Sequence, residues 1–413
     1  MERVVITGMG TINPIGEDVA STLAAMHAGK IGIGPITKFD ASDTGITVAA
    51  EVADFQPEKR MEKRLSKRLD LFTQYALYSA IEAADQAGLT DGVVDPNRLA
   101  VIYGSGIGGL TTIETQVTKM NAKGPKRVSP MFVPMSIINM APGTLAQYFG
   151  AHGSSYAVVT ACASATNAIG EAYRQIQHGL ADMAITGGAE ASVNEIGIAG
   201  FAALSALSPA TDPTRASLPF AQDRSGFVMG EGAGTLILES LSHAQARGAE
   251  ILGEIVGYGS TSDAYHMTSP DPEGTQAARA MQQALADGDL TPNQIAYVNA
   301  HGTATQANDT MESIAISHVF DEVLVSSTKA LTGHLLGAAG AIEAIMTLGA
   351  LNAGQLPVNV GPSPKEAGLD VTLVDTDNRQ TDGQYALSNS FGFGGHNAVI
   401  ALGKWNDGTR TDH

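Results

Sequence analysis

The chain has 413 residues, 44% of them hydrophobic, one cysteine and a formal net charge of −18. Its length and apolar content support a large core and exclude a disordered chain, and a single cysteine excludes an intrachain disulfide framework. The overall negative charge repels nucleic acid and anionic lipid, so neither is expected as a partner.

The opening "MERVVITGMG" carries no apolar signal core and passes straight into a strand. With the lone cysteine, this points to a cytoplasmic setting. A segment of opposite charge follows: "EKRMEKRLSKRLDLF" repeats Lys59, Lys63 and Lys67 every four residues, and Arg60, Arg64 and Arg68 likewise. On a helix this spacing makes one continuous basic stripe. It reads either as a solvated face or as a dock for an acidic macromolecule.

A helix is expected from Phe72 to Gly88, then a strand in "LAVIYGSG". Gly104, Gly106 and Gly109 match the spacing of a dinucleotide fingerprint, but the region about twenty residues on reads "KGPKRVSP" and offers no acid for a ribose. The glycines therefore read as a turn beside a pocket, with Ile107 pointing into it. Further buried strands are expected in "SYAVVTA", "DMAITGG" and "GTLILES", and then in "GEIVGYG", "IAYVNAHG", "VLVSSTK", "TLVDT" and "NAVIAL". A helix from Thr275 to Asp287 lies among these. Such alternation predicts an α/β fold with mainly parallel, doubly covered sheets.

"SSYAVVTACASATNAIGEAYRQIQHG" and "EVLVSSTKALTGHLLGAAGAIEAIMTLG" share one plan of strand, turn and small-residue helix. Cys162 stands at the first helix entrance and His334 at the second. The echo predicts a duplicated fold with two central helices in close contact, divided near residue 250 into halves 1–250 and 251–413. The apolar stretch from Ala330 contains His334 and Glu343, so it reads as a buried central helix rather than a membrane span.

Four constellations can carry chemistry. Cys162 follows a strand and opens a helix, where amide donors and the helix dipole favour a thiolate and an oxyanion. His301 ends a strand and precedes Gly302, Thr303 and Thr305. Lys329 and His334 lie after another strand, with Glu343 nine residues beyond His334. Phe391 and Phe393 sit among glycines between two strands, placed either to plug a pocket or to fill a tight turn. No H-x-x-x-H or C-x-x-C spacing suggests a transition metal.

Taken as a set, "TACAS", "AHGTAT", "TKALTGHLLGAAG" and "NSFGFGG" resemble the β-ketoacyl-acyl-carrier-protein synthases, most closely the class II type. These are the elongating condensing enzymes of type II fatty-acid synthesis. The resemblance runs almost end to end. It implies a thiolase-type duplicated five-layer α-β-α-β-α sandwich, a homodimer, and decarboxylative Claisen condensation with malonyl-acyl-carrier protein. No redox cofactor is implied.

The same resemblance implies that Cys162 is the acylated nucleophile and that His301 and His334 drive decarboxylation. Lys329 would support them electrostatically and Phe393 would gate the site. Thr303 and Thr305 would hold the pantetheine arm, while Ile107, Phe132 and Phe391 would line the substrate pocket. Arg64, Lys67, Arg68, Lys126 and Arg127 would dock the carrier. Asn299, Glu343, Ser388 and Asn389 match a structural monovalent-cation site reported in some relatives. Ala165 and His396 depart from the usual pattern, without touching the catalytic set. A degradative thiolase would use a second cysteine, and an initiating or chalcone-type ketosynthase an asparagine in place of His334. A non-catalytic chain-length subunit would lack Cys162. A specialised polyketide or aryl-polyene ketosynthase remains the alternative.

Overall fold

The computed structural model describes residues 1–361 and 363–406. The strands are β1 (Val4–Ile12), β2 (Gly34–Pro35), β3 (Val48–Ala49), β4 (Leu99–Gly104), β5 (Ser155–Val158), β6 (Met183–Glu190) and β7 (Gly232–Ser240). There follow β8 (Gly253–Ser262), β9 (Ile295–Asn299), β10 (Leu324–Ser326), β11 (Thr372–Leu373), β12 (Tyr385–Gly392) and β13 (His396–Lys404). Each strand expected from the sequence is present.

Among the described residues, all but β2 and β3 form one hydrogen-bonded sheet in the order β11-β10-β9-β12-β13-β8-β1-β7-β6-β4-β5. Outward from the centre, β1-β7-β6-β4-β5 and β8-β13-β12-β9-β10 follow the same first-fifth-fourth-second-third course, with β11 added at one end. The pairing repeats too. In each half the first two contacts are antiparallel and the next two parallel. The sheet is therefore evenly mixed, not mainly parallel. Antiparallel entry of each fifth strand, and antiparallel pairing of β1 with β8 at the centre, account for the difference.

Three packed clusters set the layers. The helix Leu71–Ala87 lies over β1, β4 and β6 in one outer layer. The helices Thr275–Asp287 and Gln306–Ser317 cover the other half of the sheet. Between the halves lie the helices Ser164–Gln177 and Ala339–Ala353. This is the five-layer thiolase-type architecture.

The central helices touch because their facing residues are small. A Cβ on Gly340 would fall 1.9 Å from Thr166 Oγ1, so the close approach requires glycine there. Thr166 Oγ1 in turn lies 2.7 Å from Ser390 Oγ on β12. The segment Leu336–Ala353 is long and apolar enough to cross a membrane, but 89% of it is buried within the protein, as a core helix requires.

The two entrances to these helices match in backbone. A 3₁₀ turn, Ala161–Ala163, precedes the first helix, and another, Leu336–Ala338, precedes the second. Ala161 and Leu336 both have left-handed backbone, with φ of 49° and 48°. In this alignment Gly337, not His334, takes the place of Cys162. His334 lies three residues earlier, in a bridge where its N–H donates to Val228 and its carbonyl accepts from Gly230.

The basic segment does not form one helix. It is split into the 3₁₀ turn Pro57–Lys59 and the short helix Lys63–Ser66, because Met61 turns inward and is buried. Lys59 pairs with Glu17 at 2.6 Å, and Arg60 with Glu82 at 3.1 Å while stacking over Tyr78. Lys63, Arg64, Lys67 and Arg68 remain exposed and make no ion pair among the described residues.

Candidate active site

Cys162 is the middle residue of its 3₁₀ turn, so the regular helix begins two residues later than the sequence suggests. No side chain caps that helix. The thiol is 8% exposed and faces a cavity of about 390 Å³. His301, His334, Thr303, Thr305, Phe391 and Phe393 line the same cavity. Residues from both halves of the sheet thus converge on one sulfur.

The imidazole rings of His301 and His334 stand 5.2 Å apart, centroid to centroid, and nearly perpendicular at 84°. Phe391 packs against His301 at 5.8 Å, and Phe227 against His334 at 5.2 Å. Phe393 follows β12 in the turn and lies 6.3 Å from Phe201. Thr303 and Thr305 hydroxyls are 2.9 Å apart, and Thr305 also caps the helix Gln306–Ser317.

Burial controls the charges here. Burial, helped by the negative charge of Glu190, pushes the Cys162 thiol up to about 12, against the pull of Lys329 and of the Cys162 and Phe393 backbone N–H groups. This corrects the expectation of a thiolate at a helix entrance: loss of water outweighs the amides and the dipole. Those two N–H groups nevertheless lie together at the sulfur, where an acyl oxyanion would form. His301 and His334 are held well below the usual histidine range, first by burial and then by Lys329. Both rings are consequently neutral near pH 7.

Alkylation of Cys162, followed by intact mass between about pH 7 and pH 10, should climb about tenfold per unit without a plateau. A plateau near pH 8 would show that the resting group is the low-pKa thiolate.

Lys329 and Glu343 form a buried ion pair at the centre of this network. Deleting one partner of such a pair leaves a charge stranded and costs about 3–5 kcal/mol. Glu343 Oε2, Asn299 Oδ1, Ser388 Oγ and Asn389 Oδ1 are buried without a hydrogen-bond partner. Ser388 and Asn299 are register partners across β12 and β9.

The remaining expected residues divide. Ile107 lies outside the cavity lining but packs in the apolar cluster that contains Cys162. Phe132 is not brought to the cavity. It opens the short helix Phe132–Ser136, which the excursion through residues 110–136 carries away from this cavity. Lys126 and Arg127 are exposed on the turn Pro125–Arg127.

Two buried acids escaped the sequence reading. Glu312 accepts from the N–H groups of His301 and Gly302 at 2.8 and 2.7 Å and from Asn389 at 3.1 Å. It shares a buried helix face with Asp309, three residues earlier. That i,i+3 pair of acids straight after a histidine turn was the available signal. Glu190, the last residue of β6, accepts from the Gly106, Ile107 and Gly337 amides at 2.7, 3.2 and 3.0 Å. No periodicity marks it.

Comparison with known proteins decides the family. A model of the β-ketoacyl synthase N-terminal domain matches residues 1–244, and one of the C-terminal domain matches residues 252–362. The chain belongs to the β-ketoacyl synthase family. It is an acyl-transferring condensing enzyme. A relative in Staphylococcus aureus (strain COL), 3-oxoacyl-[acyl-carrier-protein] synthase 2, is 47% identical over 408 residues, covering 98% of this chain and 99% of its own. The ishigamide ketosynthase/chain length factor superposes with a TM-score of 0.91 at 34% identity, over 98% of this chain and 100% of that one. A ketosynthase solved in complex with its type II polyketide acyl-carrier protein gives 0.90 at 30% identity, again over 98% and 100%. Within this β-ketoacyl synthase, the Cys162 turn and the histidine turns come from opposite halves of the sheet.

Proposed function

We propose that the chain is a 3-oxoacyl-[acyl-carrier-protein] synthase of fatty-acid elongation, and that Cys162, His301, His334, Lys329 and Phe393 carry its chemistry. The observation that carries this reading is the convergence of one thiol, two neutral histidines and two backbone donors on one cavity. Full-length identity of 47% to the S. aureus enzyme, against 34% and 30% to the polyketide relatives, favours fatty-acid synthesis over a specialised pathway.

In the first half-reaction Cys162 attacks the acyl thioester of the carrier. The Cys162 and Phe393 N–H groups hold the oxyanion, each worth about 3 kcal/mol in comparable sites. Collapse forms the acyl-cysteine, and the thiol proton ends on the departing carrier thiol. In the second, malonyl carrier loses carbon dioxide while neutral His301 and His334 donate to the enolate oxygen. The enolate carbon attacks the acyl-cysteine carbonyl, and Cys162 leaves as the free thiol after taking up a proton. Lys329 supports this arrangement by keeping both rings uncharged. Phe391 and Phe393 exclude water, which would hydrolyse the acyl-enzyme.

The exposed Arg64, Lys67 and Arg68, with Lys126 and Arg127, suit the acidic acyl carrier protein. Reversing charge at Arg64, Lys67 and Arg68 together should raise the apparent KM for carrier-borne substrate about tenfold and blunt its salt dependence. Turnover of a small pantetheine thioester should change little. Equal loss with both substrates, or no 3-oxoacyl product from the wild type, would defeat the reading.

Two further features support parts of this assignment. Val159 directly follows the edge strand β5, and Val117, Met120, Met131, Val133 and Ile137 are exposed apolar residues of the 110–137 segment before it, surface of the kind a homodimer would cover. The unpartnered oxygens of Asn299, Glu343, Ser388 and Asn389 fit a hard cation. Glu343 already shares its charge with Lys329, so a monovalent ion suits the set better than a divalent one. When bound, it would brace these strands and take no part in bond making. A cytoplasmic setting accords with the single reduced cysteine.

A further inference from the structure

Glu190 is fully buried at the end of β6, and among the described residues no cation pairs with it. Its carboxylate is instead ringed by neutral donors from two separate turns, together with the Ser192 hydroxyl, 3.4 Å from Oε1. Oε2 accepts from Gly106 N–H at 2.7 Å and Gly337 N–H at 3.0 Å. Oε1 accepts from Ile107 N–H at 3.2 Å, Gly108 N–H at 3.4 Å and the Ser105 hydroxyl at 3.3 Å. The first turn carries Ile107 in the apolar cluster of Cys162. The second is the counterpart of the nucleophile turn in the other half. The turns nearly touch: a Cβ on Gly337 would lie 2.1 Å from Gly106 N and 2.8 Å from Glu190 Oε2.

We infer that Glu190 is a positioning residue for primer length, its carboxylate tying the Ser105–Gly108 turn to Gly337 and so fixing how far Ile107 reaches toward the acyl chain on Cys162. The inference rests on the proposed acylation of Cys162. Both oxygens face N–H groups, so only an acceptor with two carboxylate oxygens satisfies the nest. Glu190→Gln keeps the shape but turns one oxygen into a donor facing two donors. With the amide nitrogen in the place of Oε2 the link between Gly106 and Gly337 is lost, and with it in the place of Oε1 the Ile107 and Gly108 amides lose their acceptor, so either flip loosens the hold on the Ile107 turn. Ile107 then loses its fixed distance, and chains of unequal length are no longer told apart.

The test measures kcat/KM for acylation over a ladder of short to long acyl carriers, by intact mass of Cys162. In Glu190→Gln the spread between best and worst primers should shrink about tenfold. Ser105→Ala removes one donor to Oε1 and should shrink it in the same direction by less; it carries the test if Glu190→Gln does not fold. Equal loss at every length, as a merely structural role would give, or an unchanged profile in a folded variant, overturns the inference. A wild type that shows no acyl adduct at all overturns instead the proposed function.

Discussion

Cys162→Ala should form no acyl-enzyme and should lose condensation by about four orders of magnitude or more, because no other thiol exists in the chain to take the acyl group. The fold should survive. Alanine fits the 3₁₀ turn, and only one buried atom is removed, so the melting temperature should move by no more than about 5 °C. Intact mass after incubation with acyl carrier is the measurement. An adduct that persists in the variant would place the nucleophile elsewhere and dismantle the mechanism.

The histidine variants should divide the reaction. His301→Ala and His334→Ala should each cut carbon dioxide release from malonyl carrier by about 10²–10³, the usual cost of losing one donor to a developing oxyanion. Acyl transfer to Cys162 should persist in both, because its oxyanion rests on backbone amides. The pH dependence has a definite sign. Burial and Lys329 lower both histidine pKa values, so protonation is delayed to a pH well under the ordinary histidine range. Wild-type decarboxylation should therefore stay level as the pH falls from about 7 to about 6, where a histidine of ordinary pKa near 6.5 would gain charge. Wild-type rates of decarboxylation in both variants would reduce the rings to structural residues.

Much of the site was legible because its residues sit at strand ends and turns, where sequence punctuation is strongest. Cys162, His301, Lys329 and the Phe391–Phe393 loop each follow an apolar run and adjoin small residues. The long central helix was equally plain from its all-round apolarity. What the sequence hid depends on distance between segments. Glu190 acts on amides of turns that only the fold brings to it, 84 and 147 residues away along the chain. The thiol's resting state also escaped, because local reasoning counts the helix entrance while desolvation comes from the whole surround. Sheet polarity was misread because a doubly covered antiparallel strand is as apolar as a parallel one. The basic stripe failed for a simpler reason: period-four charge was followed through Met61, whose burial bends the chain.

The repeated strand course has a consequence for how such an enzyme can change. The halves of the sheet meet at β1 and β8 over three residue pairs, Val4–Ile6 against Gly253–Ile255. Cys162 and the turn bearing Ile107 lie on one side of that seam, and His301, His334, Lys329, Thr303 and Thr305 on the other. Under the proposed mechanism, handling of the starter unit and handling of the extender unit fall to different stretches of chain. Drift in one stretch can retune which starters are taken without disturbing the machinery that makes the carbon nucleophile. The shared contacts around Gly337 are where such drift would be checked.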